Sequence, residues 1–83
     1  LVEYMKSKDF TSARKWAVEN LDNSPSELFR KVYDGLYDYV TPSSIPQAVL
    51  ILAEYQYKSA FVADQEINLV ACIVELMMGC EFK

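Results

Sequence analysis

The stretch DQEINLVACIVELMM, Asp64 to Met78, decides the fold. Placed at 100° per residue on a helix, it gives one apolar stripe from Ile67, Val70, Ala71, Val74, Met77 and Met78. A second stripe, roughly opposite, comes from Leu69, Ile73, Leu76 and Cys80, and only Asp64, Asn68 and Glu75 remain as a polar strip. A surface helix of a globular protein shows a single apolar face, so a helix with two needs two things to pack on. One is the domain's own core, and the other is expected to be a partner. The narrow seam through Leu69 suits the core. The broader stripe, Ile67, Val70, Val74, Met77 and Met78, is assigned to the subunit interface because methionine side chains adapt to irregular contacts.

Working outward, the rest of the chain also reads as helix, with expected spans near 1–7, 9–21, 25–40, 44–58 and 64–79. Asp9 is placed to accept backbone N–H bonds as an N-cap, and Phe10, Ala13, Ala17 and Leu21 then recur at helical spacing, with Trp16 packing beside them. In Ser24-Pro25-Ser26-Glu27, Ser24 is an N-cap, Pro25 sits at the first helical position, and Glu27 can complete a capping box. The helix that follows turns Leu28, Phe29, Val32, Tyr33, Leu36 and Val40 inward, leaves Arg30, Lys31, Asp34 and Asp38 in water, and spaces Glu27 and Lys31 for an ion pair. Pro42 and Pro46 force a turn before the next helix, whose Ala48, Val49, Leu50, Leu52, Ala53 and Tyr55 cover more than half its circumference beside a polar strip of Gln47, Glu54 and Lys58. Asp64 caps the last helix and Gly79 marks its end. The expectation is an all-α domain, a compact bundle of about five helices with the nearly all-apolar C-terminal helix at its centre.

Eighty-three residues suffice for one small domain whose core is only marginally self-sufficient. The chain opens on Leu1 rather than Met, so it is expected to be a segment of a longer protein. A hydrophobic content of 52% against 24% charged residues describes a folded domain. A net charge of −4 argues against a primary DNA-binding surface, because such surfaces draw their affinity from neutralised phosphates. The basic pairs Lys6/Lys8, Arg14/Lys15 and Arg30/Lys31 read as solvated faces. The apolar runs fall short of the roughly 20 residues that span a bilayer. Cys72 and Cys80 lie eight apart on one helix, about 12 Å of rise, too far for a disulfide. They read as small buried hydrophobes in a reducing, cytoplasmic compartment.

Chemistry is scarce. The chain has no His, which removes imidazole bases and ligands, and its only glycines, Gly35 and Gly79, build no phosphate loop. Asp34 and Asp38 share a face one turn apart but sit among exposed charges, and Tyr33, Tyr37, Tyr39, Tyr55 and Tyr57 read as amphipathic core edges. No catalytic, cofactor or metal residue is assigned in this segment.

From Val40 onward the chain resembles the C-terminal collar domain of clamp-loader small subunits of the replication factor C type, and the tailed-bacteriophage version above all. The T-P-x-S-I opening of the family's fourth helix is matched by Thr41, Pro42, Ser44 and Ile45. The A-N-x-E-[LI]-x-L start of its last helix is matched by Ala63, Asp64 in place of Asn, Glu66, Ile67 and Leu69. Glu54, Gln56 and Lys58 stand where cellular relatives carry E-x-D-x-R, and the N-terminal half matches through its succession of helices and the K-x-K-D of Lys6 to Asp9. Val62 in place of Gly, and Pro46 within the fourth helix, depart from the pattern.

The resemblance implies an oligomerisation domain, with no activity of its own, that holds AAA+ ATPase subunits in a pentamer. That pentamer opens a sliding clamp and closes it around primer–template DNA during replication, in the host cytoplasm if the chain is phage-encoded. It further implies that ATP and magnesium, the sliding clamp and DNA are bound by upstream parts of the parent protein, and that this domain's own partners are other clamp-loader subunits. From the residues alone, the alternative is a stand-alone helical adaptor that takes a partner helix or peptide between its last two helices. A helix-turn-helix DNA binder is disfavoured by the charge.

Overall fold

The structure, a computed structural model, describes residues 7–83. The helix expected over 1–7 therefore falls almost entirely outside the described residues. Four helices follow: α1 (Phe10–Glu19), α2 (Pro25–Tyr39), α3 (Ile45–Lys58) and α4 (Gln65–Gly79). The proline-rich link before α3 is one turn of 3-10 helix, Pro42–Ser44, and Pro46 is accommodated in the first turn of α3, where no intrahelical donor is needed. No helix among the described residues is long and apolar enough to cross a membrane.

Three of the four helices start where a side chain supplies a missing acceptor, and α3 starts without one. Asp9 Oδ1 accepts from Ser12 N at 3.1 Å, Ser24 Oγ from Glu27 N at 3.3 Å, and Asp64 Oδ1 from Ile67 N at 3.2 Å. The Asp9 bonds hold its carboxyl below the usual range. Replacing Ser24 by Ala leaves the Glu27 amide without this partner and is expected to lower stability by about 0.5–2 kcal/mol, read as a shift of the denaturation midpoint. An unshifted midpoint would show that the Ser24 cap carries no stability.

α4 packs against α3 on one side and α1 on the other, and α2 packs against α3. The core is one cluster: Ala13 and Ala17 of α1, Leu28, Phe29, Val32 and Leu36 of α2, Ala48, Ile51 and Leu52 of α3, and Leu69, Cys72, Ile73, Leu76 and Met77 of α4, closed by Val40 and Cys80. The two alanines let α1 approach α4 closely, and Arg14 reaches Glu66 at 3.3 Å across the contact. Trp16, Tyr33 and Tyr55 pack half-buried at the edge of the cluster. Both cysteines are free and buried.

Several local expectations are corrected. Asn68, placed in the polar strip of the last helix, is buried, and its side-chain amide donates to the Tyr55 carbonyl at 3.2 Å near the end of α3. Met77, grouped with the outward stripe, lies in the core at 5% exposure: it stands four residues beyond Ile73, only about 40° away around the helix. Phe10 and Leu21, at the two ends of the α1 stripe, stay exposed. On α2 the ion pair joins Arg30 to Asp34 at 3.1 Å rather than Glu27 to Lys31.

The chain end adds a tie that no helical pattern announces. Beyond α4 the backbone runs extended and pairs antiparallel with the link after α2, bridging Val40 and Phe82. Thr41 N donates to Glu81 O at 2.9 Å and Lys83 N to Tyr39 O at 2.8 Å. The Glu81 amide donates to Ser44 Oγ at 3.0 Å. The Met77 carbonyl, near the open end of α4, instead accepts from Lys8 Nζ at 2.7 Å. A cation there complements the negative end of the helix dipole. Lys8 adopts the left-handed conformation, φ 59°, immediately before the Asp9 cap.

Candidate subunit interface

The Asp64 cap sets the phase of α4, and the phase sorts its apolar residues. With Leu69, Cys72, Ile73, Leu76 and Met77 turned into the core, Ile67, Val70, Ala71, Val74 and Met78 are left on the opposite side. Ile67 and Met78, at the two ends, are 66% and 82% exposed, and Val70, Ala71 and Val74 between them are half-buried. The strip spans residues 67–78, about 17 Å along the helix axis. Of the five residues assigned to an interface from the sequence, four therefore share this outer face and Met77 does not.

Shallow grooves border the strip on both sides. Toward α1 the groove is lined by Phe10, Arg14, Glu66, Ile67, Val70 and Ala71, so Phe10 joins the apolar face and the Arg14–Glu66 pair forms its rim. Periodicity within α4 could not reveal Phe10, because it is brought there by another helix. Toward α3 the groove is lined chiefly by Gln47, Ile51, Tyr55, Val74, Glu75 and Met78. Burial, reinforced by the neighbouring Glu75 carboxylate, pushes the Tyr55 hydroxyl up, so it is a neutral group at physiological pH. Gly79 closes this end; a methyl group there would meet Ile51 Cδ1 at an ordinary 3.6 Å, so its small size is not demanded by packing.

The tyrosines on α2 lie away from this face. Tyr33 and Tyr37 meet edge to face with centroids 5.2 Å apart, their hydroxyls 2.8 Å from one another, and the Arg30 guanidinium lies over the Tyr33 ring. Hydrogen bonding to Tyr33 raises the Tyr37 hydroxyl above its ordinary value. Asp34 is engaged by Arg30, and Asp38 lies exposed on the same helix.

On its chemistry, the outer face of α4 is an apolar strip with a thin charged rim, suited to burying area against another protein surface. Comparison of the chain with protein-family models and with curated proteins finds no match.

Proposed function

We propose that this domain is the helical collar of a sliding-clamp loader subunit. It would hold AAA+ ATPase subunits together in a pentamer that loads the clamp onto primer–template DNA. The observation that carries the reading is the outer apolar strip from Ile67 to Met78, exposed at both ends and half-buried between them, on the helix that also forms the centre of the core. Large apolar side chains held at a surface, rimmed by polar groups, are the signature of a protein–protein contact. The resemblance of Thr41 to Ile45 and of Ala63 to Leu69 to collar sequences supports a clamp loader as the assembly.

On this reading the domain works in the cytoplasm and its direct partners are like subunits. By the same resemblance, nucleotide and magnesium would be bound by other parts of the parent protein. The test is the coding sequence that precedes Leu1. A strand followed by G-x-x-x-x-G-K-[ST] and a helix is expected there, and an upstream region without an ATPase module overturns the clamp-loader reading.

The groove between α3 and α4, with Ile51, Tyr55, Val74 and Met78 in its walls, favours a second reading, an adaptor that captures a partner helix. Stoichiometry separates the two: like subunits in the complex support a collar, and a monomer with one unrelated helix in the groove supports an adaptor.

A further inference from the structure

α1 holds to the bundle by little apolar surface. Among the described residues it gives the core only Ala13 and Ala17, with Trp16 half-buried beside them, while the other buried side chains belong to α2, α3, α4 and the links that follow α2 and α4. Its ten residues are fewer than the roughly 12–15 at which an isolated helix becomes even marginal in water. The first turn has no acidic residue and the last turn no basic one, and Glu19 sets a carboxylate at the negative end of the helix dipole. α1 is therefore helical because it is docked.

Two charged contacts pin it, one at each end of α4. Lys8 Nζ donates to the Met77 carbonyl at 2.7 Å, and Arg14 Nη2 lies 3.3 Å from the Glu66 carboxylate in the first turn of α4, so α1 runs antiparallel to that helix. The Glu81 amide, which would continue the ladder to the Met77 carbonyl, is donated to Ser44 Oγ instead. Lys8 thus takes the place of a missing helical donor. It does so from the left-handed conformation, φ 59°, which a lysine seldom adopts. Both cations are open to water, Lys8 being exposed and the Arg14 side chain 59% exposed, so salt screens both contacts and neither needs the core to move in order to let go.

We propose that α1 is a releasable strap: with Lys8 on the Met77 carbonyl and Arg14 on Glu66 as its two fastenings, it undocks from α4 and unfolds as a unit while α2, α3 and α4 stay folded. Segments that open below the global transition are those with few buried apolar contacts. Release takes Phe10 and Arg14 off the groove they share with Ile67, Val70 and Ala71, so the apolar face of α4 widens when α1 leaves. Docked, α1 restricts that face. The proposal does not depend on which partner the face takes.

Trp16 is the only tryptophan of the chain, so its fluorescence reports on α1 alone. In urea, the Trp16 signal of the unmodified 83-residue chain is expected to change at a lower concentration than the far-ultraviolet circular dichroism of the whole domain. In hydrogen exchange, the amides of Ala13 and Ala17 are expected to be at least about 100-fold less protected than those of Val32, Leu36, Ile73 and Leu76. Lys8→Met removes the ammonium while keeping the length of the stem, and is expected to speed exchange in α1 about 10-fold while leaving the α2 and α4 amides unchanged. Raising salt from about 50 mM to about 1 M should speed α1 exchange in the unmodified chain and do so less in Lys8→Met. Coincident urea transitions, or α1 amides as protected as those of α4, overturn the strap. A Lys8→Met chain whose α1 exchange is unchanged, or whose amides all speed up alike, overturns Lys8 as its fastening.

Discussion

Leu76→Ala is expected to lower the stability of the domain by about 2–5 kcal/mol, a large part of the 5–15 kcal/mol that holds a small domain together. Leu76 is fully buried on the inward face of α4, in a core cluster to which all four helices contribute. Truncation removes the transfer free energy of its side chain and leaves a cavity that the close-packed core around it only partly fills. Urea denaturation followed by circular dichroism gives the difference directly. A loss under about 1 kcal/mol would mean that the site collapses around the alanine and that α4 is not the rigid centre of the core.

The second large effect is alkaline. Burial, aided by the Glu75 carboxylate, pushes the Cys72 thiol up to about 12 from an ordinary 9.0. The thiol is the neutral form and folding favours it, so the folded state keeps its full stability below pH 9 and loses it as the pH climbs from there toward 12. Three pH units correspond to about 4 kcal/mol. Cys80 and Tyr55 are shifted in the same direction by burial, which deepens the same alkaline loss. The denaturation midpoint is expected to be level between pH 7 and 8.5 and to fall steeply above pH 9. Cys72→Ala should flatten that fall at a cost of about 1 kcal/mol at neutral pH. A wild-type midpoint that stays level to pH 11 would show that water reaches the Cys72 thiol.

The helices were legible because their apolar residues recur at a period close to 3.6 and because Ser24-Pro25 and Asp64 announce starts in residues whose roles are local. Met77 was not legible: it stands at the boundary between the two stripes of α4, and the side it takes depends on how closely α1 and α3 flank the helix, which no period within α4 records. Asn68 misled for a related reason, since a polar side chain is ordinarily placed in water unless a partner is known. Its partner, the Tyr55 carbonyl, lies thirteen residues away on another helix. The tie between residues 81–83 and the link after α2, and the hold of Lys8 on the Met77 carbonyl, join positions about 40 and 69 residues apart. Nothing in either segment alone distinguishes such contacts from solvated ends. On α3, apolar over more than half its circumference, the pattern alone does not separate the exposed Leu50 and Ala53 from the buried Ala48, Ile51 and Leu52.

The central claim is that the outer face of α4 is a contact between subunits, and light scattering on the unmodified chain beside the double variant Ile67→Glu, Met78→Glu tests it most directly. Both positions are exposed, so circular dichroism and the denaturation midpoint are expected to stay within about 0.5 kcal/mol of the parent. The unmodified chain should show a mass that rises in multiples of 9.5 kDa as concentration increases through about 100 µM, while the double variant stays at 9.5 kDa. A variant that assembles as the parent does, or a parent that remains a monomer throughout, would contradict the assignment.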